Sequence, residues 1–370
     1  MNLQILSKNV RRLRTARRLS QRELADTAGI SLPAIKNLEL AKSEPRMKTM
    51  QAIAKALDVK IQNFFQPVRE LSTVRFRSAK RMQNRENVLA EVARWIDDFN
   101  YLEKKLKKER PFRLNSVRAQ CSRDRLAESA GLCRKKLGLK STEPIHDICG
   151  LLEHAGVKVF PIPMASASFF GLSIGEEDGD PAVVVNVWER ISVERRILSA
   201  AHELGHLMLH PDAYDVSQVE ESKGEEHEAD RFAGHFLMPD KGFLNEWNEA
   251  AGLHFVDRVF KVKRIFRVSY KTVLSRLIEY GSADSSIWKK FNVAYQRRFK
   301  RRLSFKEEPM GIDAAEPFGF QPYDFFEDRF SRFTREAVEK NIISLSRGAE
   351  MLRIGIEEMQ DLLKDWEAVL

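Results

Sequence analysis

The sequence predicts a multidomain protein: an all-α head, an α+β middle built on a small sheet, and a helical C-terminal region. Three observations carry this. The chain has 370 residues, and at roughly 150 residues per domain two or three domains are expected. Charge is uneven: residues 1–120 hold 27 Lys/Arg against 12 Asp/Glu, a balance of +15 that leaves −6 for the rest. The hydrophobic period also changes along the chain, from helical to alternating near residue 157 and back to helical near Ser192. With 43% apolar and 31% charged residues, a large core can be buried and wholesale disorder is excluded. No run of apolar residues is long enough for a transmembrane helix. The first residues, MNLQILSKNVRRLRTARR, put a short apolar run before a basic cluster, the reverse of a signal peptide. Three cysteines, Cys121, Cys133 and Cys149, fit neither a disulfide framework nor a cysteine-only zinc site. A cytoplasmic, reduced protein is expected.

Residues 1–66 read as a run of short helices. Leu19-Ser-Gln-Arg-Glu-Leu24 is a helix start: Ser20 caps, Glu23 closes the capping box and Leu19 staples onto Leu24. Gly29 ends that helix. Ser31 caps the next, with Ile30 stapling onto Ile35. Two short helices joined by a glycine-containing turn make a helix-turn-helix, with Leu13, Leu24, Ala25, Ile30, Ile35, Ile53, Ala54 and Leu57 as the core of a five-helix unit. The charged stretch 67–121 reads as a helical connector. In it Val88, Val92, Trp95, Phe99, Leu102 and Leu106 alternate at spacings of four and three, an a/d seam. The seam fits a dimerising coiled coil or a helix lying on its own domain. Residues 122–285 form the middle domain. Its segments Val157–Ile162, Ser168–Ile174 and Ala182–Val187 predict a sheet of three strands. Residues 286–370 form the helical C-terminal region.

The head resembles the Xre family of phage-repressor-like helix-turn-helix proteins over residues 7–66. The matching residues are Leu19-Ser20-Gln21, Glu23-Leu24-Ala25, Gly29-Ile30-Ser31, Ile35, Glu39, Pro45, Ile53–Leu57 and Phe64-Phe65. The resemblance implies that the second helix of the pair enters the major groove. Ser31, Leu32, Pro33, Lys36 and Asn37 would then face bases, with Gln21 and Lys42 near phosphates. The basic flank Arg11, Arg12, Arg14, Arg17 and Arg18 suits backbone contact. The implied partner is a double-stranded DNA operator, bound by a homodimer.

His202-Glu203-Leu-Gly-His206 is the sharpest chemical signal. Residues four apart share a helix face, so both imidazoles reach one zinc ion and Glu203 points at the zinc-bound water as general base. Catalytic zinc needs a third protein ligand. Glu226 and Glu228, in Glu226-His-Glu-Ala-Asp230-Arg-Phe-Ala233, compete for that place, and Asp230 can accept the outer N–H of a ligating histidine. His210, one turn past His206, is a further candidate on spacing alone.

This region resembles the ImmA/IrrE family of zinc metallopeptidases over about residues 122–281. The carriers are Val183-Val-Val-Asn186, Glu194-Arg-Arg196, His202 to His210-Pro211, Glu226 to Ala233 and Phe236-Leu-Met-Pro239. The resemblance implies a zincin-like α+β fold, Zn2+ held by His202, His206 and Glu226, catalysis by Glu203 and a structural role for His210. The chain departs from the family pattern at Gly234-His235 and in its long acidic loop 212–225, which is expected to cover the cleft. Val268–Leu277 reads as a closing helix pair, and the basic, aromatic-laced stretch 288–302 as an amphipathic helix or a binding surface.

A DNA-reading head on a peptidase body implies a transcription regulator in a stress, phage or toxin–antitoxin setting, a repressor relieved by proteolysis. Its substrate would be a peptide or protein, either the chain itself or a partner repressor, and a toxin is an expected further partner. The competing reading is a non-proteolytic repressor or antitoxin whose zinc domain senses a ligand or partner.

Overall fold

The computed structural model describes residues 2–17, 19–65, 71, 74–78, 85–166, 169–178, 181–211, 214, 222–303 and 316–368. The chain divides into two compact units, Met1–Leu71 with Met82–Phe99, and Ser72–Arg81 with Asn100–Leu370.

In the first unit, α1 (Leu3–Ala16), α2 (Gln21–Ala28), α3 (Leu32–Glu39) and α4 (Met47–Ala56) pack with a 3-10 turn, Ile61–Phe64. That turn stands where a fifth helix was expected. Leu6, Val10, Leu24, Ile35, Leu38, Ile53, Leu57 and Phe64 form the core, with Leu13 and Ile30 at its margin. The α2 start is the one its sequence specifies: Ser20 Oγ accepts from Glu23 N at 3.1 Å and the Glu23 carboxylate accepts from Ser20 N at 2.7 Å. Gly29 closes α2 in the left-handed region, φ 65°. Ser31 sits at the N-cap of α3, but its side chain makes no capping bond. Pro33 in the first turn of α3 removes one of the amides a cap would satisfy.

One expectation for the connector is corrected. Residues 74–78 form a strand, β1 (Val74–Ser78), where a helix was expected. After it, α5 (Arg85–Leu106) carries the predicted seam, and all six seam residues are buried within the single chain. The seam is therefore spent inside the molecule, as in a helix lying on its own protein, and offers no apolar stripe for a partner helix.

The second unit continues with α6 (Asn115–Arg118), α7 (Leu126–Lys136), α8 (Ile148–His154), β2 (Lys158–Ile162), β3 (Phe169–Ile174) and β4 (Ala182–Asn186). The sheet has four strands, ordered β1-β3-β4-β2, rather than three. β3 runs antiparallel to both β1 and β4, and β2 runs parallel to β4. Every residue of β4 is buried, as expected of a strand covered on both faces. Helix α9 (Val193–Leu209) packs on β3 and β4, and α10 (Lys223–Leu237) packs on α9 and α7.

The rest is helical: α11 (Asp240–Glu249), α12 (Phe255–Phe266), α13 (Tyr270–Glu279), α14 (Ile287–Phe299), α15 (Arg329–Glu339), α16 (Leu345–Leu352) and α17 (Ile356–Ala368). Val268, Tyr270, Val273, Leu274 and Leu277 are core, so the Val268–Leu277 segment packs inward. Helix α14 is amphipathic, burying Ile287, Phe291 and Tyr295. Buried ion pairs tie the C-terminal region to this unit: the Arg329 guanidinium and Lys158 Nζ (3.0 Å) both meet Glu103. The three cysteines are free, and among the described residues no helix is long and apolar enough to cross a membrane.

Candidate metal centre

The site is built on α9. Ser192 caps its start, accepting from Arg195 N at 3.3 Å. Apolar residues on nearly every side then bury the helix, so His202, Glu203 and His206 are held in the core rather than on a surface. Helix α10 comes close enough to complete the site because residue 205 is glycine. A Cβ there would stand 3.1 Å from Phe232 Cδ1 and 3.3 Å from Ala229 Cα. Gly171 of β3 plays the same part on the other side. A Cβ there would meet Val184 O at 2.8 Å and Glu203 Oε1 at 3.1 Å, so the bare backbone makes room for that carboxylate.

His202 Nε2 and His206 Nε2 lie 2.9 Å apart, and Glu226 Oε2 and Oε1 lie 3.1 Å from them respectively. One ligand atom from each of these three residues falls within 4.8 Å of the others. Their outer nitrogens point elsewhere: His202 Nδ1 bonds Asp230 Oδ1 at 2.7 Å, and His206 Nδ1 meets His210 Nδ1 at 3.0 Å. His210 Nε2 bonds Glu228 Oε2 at 2.8 Å. The tautomers follow from this network. A carboxylate only accepts, so His210 carries its proton on Nε2, and His206 donates from Nδ1. Likewise, His202 donates to Asp230. Burial keeps His206 well below the ordinary imidazole range and lowers His210 as well, so both rings are neutral. His206 Nε2 therefore turns a lone pair towards His202 Nε2 and the Glu226 carboxylate. Two imidazoles with one carboxylate are a zinc donor set.

The two glutamates that compete for third place are separated by this geometry. Glu226 faces the imidazoles, whereas Glu228 goes to His210 and to Arg123 Nε at 2.7 Å. His210 backs His206 rather than joining the cluster. His227 is exposed. His235 is packed between Asp240 (3.0 Å) and Glu279 (3.3 Å), which accounts for the departure at Gly234-His235. Of residues 212–221 only Tyr214 is among those described, so the expected cover of the cleft lies outside them. Its hydroxyl donates to Ser173 Oγ at 2.9 Å and is held protonated by burial.

In the head, Ile35 and Leu38 take the buried face of α3, leaving Ser31, Pro33, Lys36 and Asn37 exposed, as is Lys42 beyond it. Leu32 is half-buried and packs on the core margin. Glu39 accepts from Arg14 Nε at 2.6 Å, Arg14 Nη2 at 2.9 Å and Gln21 Nε2 at 2.7 Å. Arg14 is thus a bidentate clamp between α1 and α3 and is withdrawn from the basic flank. Gln21 is held by the same carboxylate. Arg17 is half-exposed and contacts Asp58, Arg11 is exposed, and Arg18 lies outside the described residues.

Residues 152–277 match the family model of the IrrE N-terminal-like domain, a peptidase family, and residues 10–64 match the helix-turn-helix model. The chain joins a DNA-binding helix-turn-helix domain to an IrrE-like, metallopeptidase-family domain. No curated protein matches the chain at a significant level.

Around the site, motif reading missed Arg75 of the connector strand and, within the IrrE-like domain, Gly171 and the His210–Glu228 pair. Arg75 stands on β1 and reaches Glu225 Oε2 at 2.7 Å and Glu226 Oε1 at 3.3 Å. Its signal was the two-residue alternation Val74-Arg-Phe-Arg, a strand period lost in a highly charged stretch.

Proposed function

We propose that the protein is a DNA-binding repressor with a zinc-dependent endopeptidase domain, and that peptide hydrolysis relieves repression. The observation that carries this is the convergence of His202, His206 and Glu226 beside Glu203, with both histidines and Glu203 buried and Glu226 partly so. His202, His206 and Glu226 would hold the ion, and Asp230 and His210 fix the two imidazoles. When bound, zinc would supply a Lewis acid and lower the pKa of a water. Glu203 would serve as the general base and then as the acid for the leaving amine. In the head, Ser31, Leu32, Pro33, Lys36 and Asn37 read bases of an operator bound by a homodimer, with Gln21 and Lys42 at phosphates. The substrate is a protein, either this chain or a partner repressor, in a cytoplasmic stress, phage or toxin–antitoxin setting.

Purified protein incubated with zinc, with chelator, or as Glu203→Gln tests the reading. Fragments on a gel with zinc alone are the expected result. An intact chain and an intact candidate repressor in all three, with zinc bound, would favour the sensing alternative.

A further inference from the structure

We infer that Arg75, on the strand that links two segments of the DNA-binding unit, is a positioning residue that fixes Glu226 for the metal. The inference rests on the zinc reading above. The two histidines are rigid, being buried in the middle of α9. Glu226 is not so held. It lies in the first turn of α10, whose N-cap residue Ser222 makes no side-chain capping bond, and its carboxylate sits at the end of a flexible side chain. Arg75 supplies what the helix start lacks. One arm of its guanidinium takes Glu225 at 2.7 Å and the other takes Glu226 Oε1 at 3.3 Å, the oxygen that also faces His206. The side chain is buried, so solvent does not screen the contacts. Arg123 braces the same turn from outside, on Glu225 (3.5 Å) and Glu228.

The origin of Arg75 gives the contact a second meaning. The chain leaves the first unit at Leu71, pairs β1 with β3 through Val74↔Ile174 and Arg75↔Ser173, and re-enters the first unit at Met82. The metal site is therefore complete only while this connector strand stays in the sheet.

Zinc affinity by chelator competition and the visible absorption of the cobalt-loaded full chain test this. Arg75→Met should bind zinc about 10–100-fold more weakly than wild type, the usual cost of losing a partner that orients a ligand. Its cobalt bands should weaken and shift as Glu226 loosens. Arg75→Lys should fall between, since a point charge cannot hold both carboxylates. Glu225→Gln leaves β1 untouched, loosens Arg75, and should cost about 3–10-fold if it removes part of the same outer bonding. A purely structural arginine would lower the melting temperature in chelator and leave affinity and spectrum at wild-type values, which would overturn the inference. So would an affinity that rises in Arg75→Met, for that would make Arg75 a competitor of the metal. Wild type that binds no metal would instead overturn the zinc reading on which this one stands.

Discussion

At Glu226 and Glu228, two residues apart on α10, identical side chains face different partners. Spacing left them open, because residues 226 and 228 differ by about 200° around a helix and either face could turn inward. Burial decided it: α10 packs on α9 through Ala229, Phe232, Ala233 and Phe236, and only Glu226 then meets both imidazoles. Glu226→Gln should lose the bound zinc, expected at about one per chain for a single three-ligand site, when metal content is measured after mild purification. Glu228→Gln should retain it, with affinity weakened about 10-fold through His210; the opposite ranking would exchange their roles. His235 gives a residue-scale prediction independent of metal. Burial works against its charge, but bonds to Asp240 and Glu279 outweigh burial and the nearby Arg276, and its net shift is upward. A histidine whose folded pKa lies above its unfolded value contributes stability in full below about pH 6.5, lost as pH rises through the raised value. The urea midpoint of wild type, held in chelator, should fall between pH 6 and 8 by more than that of His235→Gln. Equal falls would show that His235 does not titrate in this way.

At the scale of elements, the candidate metal site is the meeting of α9, α10 and β3, and glycines set the distances between them. Gly205→Ala would place a methyl 3.3 Å from the Ala229 backbone, which cannot give way as a side chain can, so α10 must shift by a few tenths of an ångström. Glu226 rides on α10. We expect Gly205→Ala to fold, to melt lower and to bind zinc roughly 10-fold more weakly, by the sensitivity of such sites to ligand placement; unchanged affinity by chelator competition would show that α9 and α10 have slack. These elements were unevenly legible. The α2 start was written in Ser20 and Glu23, and α9 in the return to a helical period near Ser192 and the spacing of His202 and His206. β1 was not, because Arg75 and Arg77 stand where a strand motif would show polar residues and the neighbouring charges hide the alternation. The fourth strand then escaped, and with it the arginine on Glu226. The seam of α5 was read correctly as apolar, but periodicity cannot say whether a stripe meets its own chain or another.

For the whole molecule, the helix-turn-helix domain and the candidate metal site draw on separate core clusters, so the two proposed functions should separate by mutation. Lys36 is exposed on α3 and remote in sequence from the zinc motif. Lys36→Ala should therefore weaken preference at one operator position by about 1–3 kcal/mol and leave zinc content unchanged. Glu203→Gln makes the converse test. It keeps the shape of the side chain and removes the base. Zinc should stay, because Glu203 is not among the three converging residues, and operator binding should stay, because the head has its own core. Only relief of repression should fail. A reporter on the protein's own promoter, under a signal that relieves the wild type, reads that step directly. If wild type and Glu203→Gln induce alike, proteolysis is not the switch, and the zinc domain acts by sensing. If Glu203→Gln stays repressed while its purified form retains zinc and operator affinity, the loss cannot come from folding or from DNA binding. What remains is the proton that Glu203 moves.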